Sequence, residues 1–260
     1  MFSYYLSDKP RAPRSVLGDT KTWPSIEVST SNPFTIAIEG NIGAGKTTFL
    51  EKLKQKAPAD ITALAEPLDK WRNVEGHNLL DLMYQDPSRW AMTFQSYAQL
   101  TALQSHTQIV PTPIKVMERS IHSVRHCFTE LLLTMGSLHI ADYRVLLEWY
   151  DFLMESATIL PVDLTVYMRT TPELAFERVR RRSRLEETTV SLQYLQLLHD
   201  VHENWLFDST PGIHRKEIYV IDAGKDGGAS IASYNEHAIK VLRKVQHMRS
   251  IPTIPARRSF

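Results

Sequence analysis

The sequence predicts an α/β fold: a five-stranded parallel sheet with helices on both faces. Three observations carry that prediction. Short apolar runs alternate with longer helical stretches, and strands separated by helices imply crossover units and a parallel sheet. A glycine-rich loop follows the first run and opens the first helical stretch. Four of the five runs end in a polar residue, Glu66, Glu118, Arg169 or Asp222, and ligands of such sheets sit beyond the carboxyl ends of the strands.

The elements follow in order. Residues 1–32 are polar and broken by Pro10, Pro13 and Pro24, so they read as a flexible arm ahead of a single domain over 33–248. Phe34 to Glu39 is the first strand, and a helix runs from Lys46 to about Lys56. A second short strand leads into Glu66-Pro67, and a long helix spans about Pro87 to His106. Ile114 to Glu118 is the third strand, with helices near 121–135 and 141–157 after it. Asp163 to Arg169 is the fourth, and Pro172 suits the first position of the next helix. Glu217 to Asp222 is the fifth, and a last helix occupies about 230–248. The remainder, 249–260, reads as a disordered tail that carries Arg257-Arg258, a short nuclear address on its sharper reading.

Composition narrows the function classes. In 260 residues, 43% hydrophobic and 23% charged side chains argue against disorder, collagen and coiled coil. Thirty basic against 29 acidic residues give a net charge of +1, which disfavours a nucleic-acid coat protein. The single Cys127 excludes an intramolecular disulfide framework. No apolar run approaches the roughly 18 residues that span a bilayer. The expectation is a soluble, intracellular protein without nucleic-acid or membrane partners. The arm mixes Lys9, Arg11 and Arg14 with Asp8 and Asp19, unlike an acid-poor transit peptide, so the reading favours the cytoplasm over a mitochondrial or nuclear location.

The glycine loop is the strongest signal. Gly40-Asn41-Ile42-Gly43-Ala44-Gly45-Lys46-Thr47 fits G-x-x-x-x-G-K-[ST] with a strand before it and a helix after. Such a loop turns successive backbone N–H groups toward phosphate oxygens, and the helix N-terminus adds its positive end. Lys46 is then placed for the β- and γ-phosphates and the Thr47 hydroxyl for magnesium. ATP, or another nucleoside triphosphate, with Mg²⁺ is the expected ligand.

The loop leaves the acceptor open. Glu66 ends the strand predicted beside the loop and suits a base that takes a proton from an attacking hydroxyl; alone, it reads more readily as an exposed turn residue. Glu118-Arg119-Ser120 ends the next strand as either a structural ion pair or a magnesium ligand beside a phosphoryl-binding arginine. On the long helix Ala91, Gln95, Ala98 and Ala102 recur at spacings of four, three and four, so one amide faces a slot between small residues. That face suits a nucleobase edge, or close helix packing. Trp90, Phe94 and Tyr97 form the neighbouring stripe. Arg178, Arg180, Arg181, Arg182 and Arg184, five arginines in seven residues before Glu186-Glu187, suit a lid over a triphosphate better than an RNA-binding helix. His122 and His126 have zinc-like spacing without a third ligand and read as surface histidines; Cys127 reads as a core filler.

Gly40–Thr48, Glu66–Arg72 (EPLDKWR), Glu118-Arg-Ser120 and Arg178–Glu187, in this order, resemble the deoxyribonucleoside kinase family. The resemblance covers roughly residues 34–222. Asn73-Val-Glu-Gly-His77 and Ser88–Ser96 (SRWAMTFQS) are similar to the branch with the mitochondrial-type thymidine kinases and the insect multisubstrate enzymes. It implies a P-loop kinase fold with an arginine-rich lid, phosphorylating a nucleoside 5′-hydroxyl for nucleotide salvage. Glu66 would be the base, Arg119 would hold the hydroxyl and the phosphoryl group, and Glu118 with Thr47 would position magnesium; the loop through Thr48 would bind phosphates. Gln95 would pair with the pyrimidine, Phe128 stack on it, and Trp71, Met83 and Phe94 wall the pocket. Tyr84 and Glu187 would bind the sugar 3′-hydroxyl, Arg182 and Arg184 serve the lid, and the backbone of Asp222, Ala223 and Gly224, heading the 222–226 segment, contact adenine. Where other branches carry an arginine and an aspartate against the base, Ala102 and Val124 stand here. This implies thymidine first, deoxycytidine accepted and purines weaker. The family's dimerisation would use 121–135 and 141–157. Two alternatives share the loop: a nucleoside monophosphate kinase, which needs a basic site for the acceptor phosphate, and a nucleotide-dependent switch, which hydrolyses ATP without an acceptor.

Overall fold

The computed structural model describes residues 32–156, 159–207, 217–224 and 231–250. The expected arm up to residue 31, the tail from residue 251 with Arg257-Arg258, and Lys225-Asp226 beside the expected adenine contacts lie outside the described residues.

Five strands form one sheet: β1 (Phe34–Glu39), β2 (Ile61–Leu64), β3 (Ile114–Glu118), β4 (Leu164–Arg169) and β5 (Glu217–Asp222). Their order is β2-β3-β1-β4-β5, and every pairing is parallel. After β1 the chain crosses to the edge as β2, returns inward as β3, and then builds outward on the other side through β4 and β5. The strand order therefore reverses at β1, and a crevice opens beyond its carboxyl end. That is where the glycine loop lies.

Alternation along β1 sends successive side chains to opposite faces. Ile36 and Ile38 pack with Phe49 and Leu53 of α1 (Lys46–Lys56) and with Tyr234, Ala238 and Val241 of α10 (Ile231–Ser250). Ala37, between them, packs with Met117 and Val162. The rings of Phe49 and Tyr234 meet edge to face at 5.9 Å, so α1 and α10 share one interface. A second cluster joins Ala175 and Val179 of α8 (Pro172–Arg182) to Leu195 and Leu198 of α9 (Leu192–Phe207). Cys127 is fully buried in it, as a core filler should be.

Most predicted elements stand within two residues of their expected ends, and the caps explain why. The long helix α4 (Pro87–Thr107) starts where Asp86 accepts from the Arg89 N–H at 3.2 Å, with Pro87 at its first position. Thr171 caps α8 ahead of Pro172 by accepting from Leu174 N–H. Four differences matter. The second strand stops at Leu64, so Glu66 stands on the loop after it. Two short helices, α2 (Leu68–Arg72) and α3 (Leu79–Gln85), fill the stretch before α4. The 3₁₀ helix Leu185–Thr189 and the whole of α9 follow the arginine cluster, where no element was expected. The helix near 121–135 is α5 (Ile121–Ser123), a π-helical segment Val124–Thr129 and α6 (Glu130–Thr134). The Thr129 hydroxyl donates to the Val124 carbonyl five residues back, at 2.9 Å, matching the π spacing. The next helix is α7 (Ile140–Glu155), and α10 runs through Ser250 rather than ending at 248.

Candidate active site

The glycine loop is shaped by what surrounds it. Gly43 has φ +79°, and a Cβ there would lie 2.6 Å from the Ala175 carbonyl, so α8 sits directly against the loop. Gly40, at φ +142°, would place a Cβ 2.6 Å from the Met168 carbonyl. No side chain caps the N-terminus of α1, and no acidic residue occupies its first turn. Its leading N–H groups and the helix dipole are thus left for an anion. Lys46 is 5% exposed and donates to the Asn41 carbonyl at 2.9 Å. Burial pulls its ammonium down to about 8.

Beyond the loop, three strand ends converge. The Glu66 carboxylate accepts from Arg119 Nε at 2.8 Å, and Arg119 Nη1 donates to the Gly40 carbonyl at 3.0 Å. The guanidinium lies over the Phe128 ring, 4.7 Å from its centre. Arg119 adopts φ +66°, strained for a side chain of this size. Its N–H donates to the Ile38 carbonyl at 3.0 Å, and Ser120 donates to Glu39 Oε1 at 2.6 Å. These bonds hold the turn after β3 against that strain. Glu39 is fully buried with Oε2 unpartnered, and burial raises its carboxyl above the usual range. The Thr47 hydroxyl donates to Glu118 Oε1 at 2.8 Å, so two oxygen ligands of the kind magnesium takes stand side by side at the head of α1.

One cleft, about 920 Å³ with the open solvent at its mouth included, connects these groups to α4. Its phosphate end is lined by Ile42, Gly43, Lys46, Thr47 and Glu118, and its middle by Glu66, Arg119 and Phe128. The far end is walled by Trp71, Met83, Phe94, Ala98, Ala102 and Val124. Among the described residues this end holds no basic side chain. Trp71 meets Phe94 edge to face at 5.3 Å and donates from Nε1 to Thr101 at 2.9 Å, which fixes that wall. Gln95 points into the far end, is 2% exposed, and has a buried carbonyl oxygen with no hydrogen-bond partner. An unpaired amide oxygen in an apolar slot costs about 1–3 kcal/mol, and a ligand edge would recover it.

The arginine cluster divides. Arg182 and Arg184 line the cavity and both bind Glu187, Arg182 through Nη2 at 2.6 Å and Arg184 through Nη1 at 3.2 Å. Tyr84 lines the same region, and burial raises its hydroxyl well above the ordinary value. Arg178 instead donates to the Ala223 carbonyl at 2.9 Å, and Arg180 stacks over Phe176. Those two belong to the scaffold.

Several expected contacts do not reach the cavity. Asn41 turns away: its Nδ2 donates to the Leu195 carbonyl at 2.8 Å and its Oδ1 accepts from Ile42 N–H, so its side chain ties the loop to α9. Gly40, Ala44, Gly45 and Thr48 shape or follow the loop without lining the cavity. Asp222, Ala223 and Gly224 close the β5 end, where Ala223 N–H donates to the Arg169 carbonyl at 2.7 Å. Arg169 itself binds Glu203 through Nε at 2.9 Å and Nη2 at 2.5 Å. His122 and His126 are half-buried rather than on the surface: both contact the Tyr150 hydroxyl, and His126 stacks on Trp205. Among the described residues no group of three histidine, cysteine or acidic side chains is placed to hold a metal. Tyr194 also lines the cavity, edge to face with Tyr84 at 6.4 Å. The apolar spacing of Leu192, Leu195 and Leu198 was the signal for its helix.

Residues 36–247 match the family model described as deoxynucleoside kinase. The chain is 43% identical over 238 residues to thymidine kinase 2, mitochondrial, of Macaca fascicularis, covering 90% of this chain and 89% of that protein. It is 42% identical to the Homo sapiens protein of the same name, covering 85% and 83%. Deoxycytidine kinase 2 of Gallus gallus is 33% identical over 74% of this chain and 82% of its own. The glycine loop, the carboxylate and arginine facing it, and the amide at the far wall stand in a chain that belongs to the deoxynucleoside kinase family.

Proposed function

We propose that the chain transfers a phosphoryl group from ATP to the 5′-hydroxyl of thymidine in preference to deoxycytidine, with purine deoxynucleosides weaker still. One observation carries the reading: Glu66 and Arg119 form a 2.8 Å pair in the middle of a cavity with Lys46 at one end and the unpartnered Gln95 oxygen at the other.

The residues divide the work. Gln95 accepts from the N–H of a pyrimidine edge, Phe128 stacks on the base, and Trp71, Met83 and Phe94 exclude water. Ala102 and Val124 offer no polar atom to the base and leave room for a methyl group. Tyr84 and Glu187 hold the sugar 3′-hydroxyl, so the 5′-hydroxyl meets Glu66. As that oxygen attacks, Glu66 takes its proton and Arg119 faces the charge developing on the transferred group. Lys46, with Arg182 and Arg184, neutralises the phosphate oxygens and keeps them in line. Magnesium, held by Thr47 and Glu118, would supply further neutralisation of the phosphates. A nucleoside monophosphate would bring its own anion toward the Glu66 carboxylate, which repels it.

The quaternary reading rests on α7, whose Val145, Trp149 and Phe152 are 45%, 57% and 62% exposed on one face. A second copy packed there forms a homodimer. For the compartment, the macaque and human relatives are named mitochondrial, so the reading shifts from the cytoplasm to the mitochondrion. No described helix is long and apolar enough to cross a membrane. Substrate choice is tested by competition between thymidine and deoxyguanosine at limiting enzyme. Thymidine should dominate product formation; a lead for deoxyguanosine overturns the pocket argument.

A further inference from the structure

The two adjacent carboxylates after the arginine cluster face different ways. Glu187 turns to Arg182 and Arg184 in the cavity. Glu186, 9% exposed, turns to the opposite wall. It accepts from Arg72 Nε at 2.7 Å and Nη2 at 3.3 Å, and Asn78 Nδ2 approaches it at 3.5 Å. This fork raises the Arg72 guanidinium and holds the Glu186 carboxyl below its usual range.

The partners of Glu186 are not arbitrary. Arg72 ends α2, directly after Trp71 of the far wall, and Asn78 caps α3, which carries Met83 and Tyr84. The segment bearing Glu186 hangs on Ser183, whose φ of +53° breaks α8 in a left-handed turn. A side chain on the base-binding wall therefore grips the segment whose next residue sets Arg182 and Arg184. We propose that Arg72 and Glu186 are positioning residues that couple occupancy of the nucleoside pocket to the arginines facing the phosphates. When a nucleoside orders Trp71, Met83 and Tyr84, the fork carries that ordering to Glu186 and fixes the register of the lid. Both residues act through others.

This inference rests on the kinase reading of the site. Arg72 is a third exposed, so loss of the Glu186 charge leaves it solvated, and a melting curve of each variant checks that the chain is folded. The test is binding of a non-hydrolysable ATP analogue to the full chain, by calorimetry, with and without saturating thymidine. In the wild type thymidine should tighten the analogue about fivefold or more, within the usual range for coupled sites. In Arg72→Ala, and separately in Glu186→Gln, each ligand alone should bind within about threefold of wild type while the coupling factor falls toward one. The double exchange Arg72→Glu with Glu186→Arg should restore coupling that each single exchange abolishes. Coupling that persists in Arg72→Ala and Glu186→Gln, or fails to return in the double exchange, overturns the latch. A wild type whose analogue affinity ignores thymidine overturns it too and leaves the kinase reading intact. A wild type that binds no thymidine overturns the thymidine reading of the pocket, and the latch argued from it.

Discussion

Replacing Gln95 with leucine separates binding from folding, because the structure assigns the two effects opposite signs. Gln95 is 2% exposed and its carbonyl oxygen has no partner, so the ligand-free protein bears the desolvation of that group. Such an atom costs about 1–3 kcal/mol, and leucine of similar volume removes the cost. For a domain of this size each kcal/mol moves the melting temperature by roughly 2–4 °C. Gln95→Leu should therefore melt a few degrees higher than wild type. The same change removes the polar contact to the base, worth about 1–3 kcal/mol, so thymidine affinity should fall by roughly 5- to 150-fold. The contact is present before and during transfer, so KM should rise while kcat changes little. Calorimetric melts and steady-state kinetics at saturating ATP measure both. A variant that melts lower and keeps its KM refutes the reasoning, since Gln95 would then be a packing residue with a hidden partner.

Three further outcomes follow. Glu66→Gln should lower turnover by about 10²–10⁴ while thymidine binds within a few-fold of wild type; near-normal single-turnover rates would remove Glu66 from the base role. Lys46, drawn by burial to about 8, binds phosphate in its charged form. ATP affinity should be flat below that pH and weaken by up to about tenfold per unit above it, a slope that Lys46→Met erases. His202, buried against Tyr167 and Trp205, is lowered by burial from 6.5 to about 3. The unfolded chain binds the proton first, so stability is full above pH 6.5 and is lost as pH falls toward 3. At pH 5 the loss is about 2 kcal/mol, measurable as a wild-type melting shift that His202→Asn lacks.

Much of this site was legible because its chemistry is local. The loop from Gly40 to Thr47 carries its ligand class within eight residues, and Glu66, Glu118 and Arg119 each stand just past or at a strand end. The alanine spacing of α4 announced the face on which Gln95 lies. Longer-range features left no such mark. The five-residue α2 and seven-residue α3 are too short for periodicity, and they are held by what they pack against. The π-helical turn, accompanied by the Thr129 hydroxyl bond to the Val124 carbonyl, spans only six residues and leaves no periodicity to read. Asn41 is read as a phosphate-loop residue from its neighbours, but nothing local shows that its side chain bonds to a helix more than 150 residues away. Arg178 and Arg182 are indistinguishable in a run of arginines, and only the fold sends one to Ala223 and the other to the cavity.

The most direct measurement follows the product of thymidine and ATP by mass spectrometry and phosphorus NMR. The account predicts thymidine 5′-monophosphate and ADP in equal amounts, with no ADP when nucleoside is omitted. ADP and inorganic phosphate released without any nucleotide product, or phosphate appearing on the 3′-hydroxyl, would contradict it.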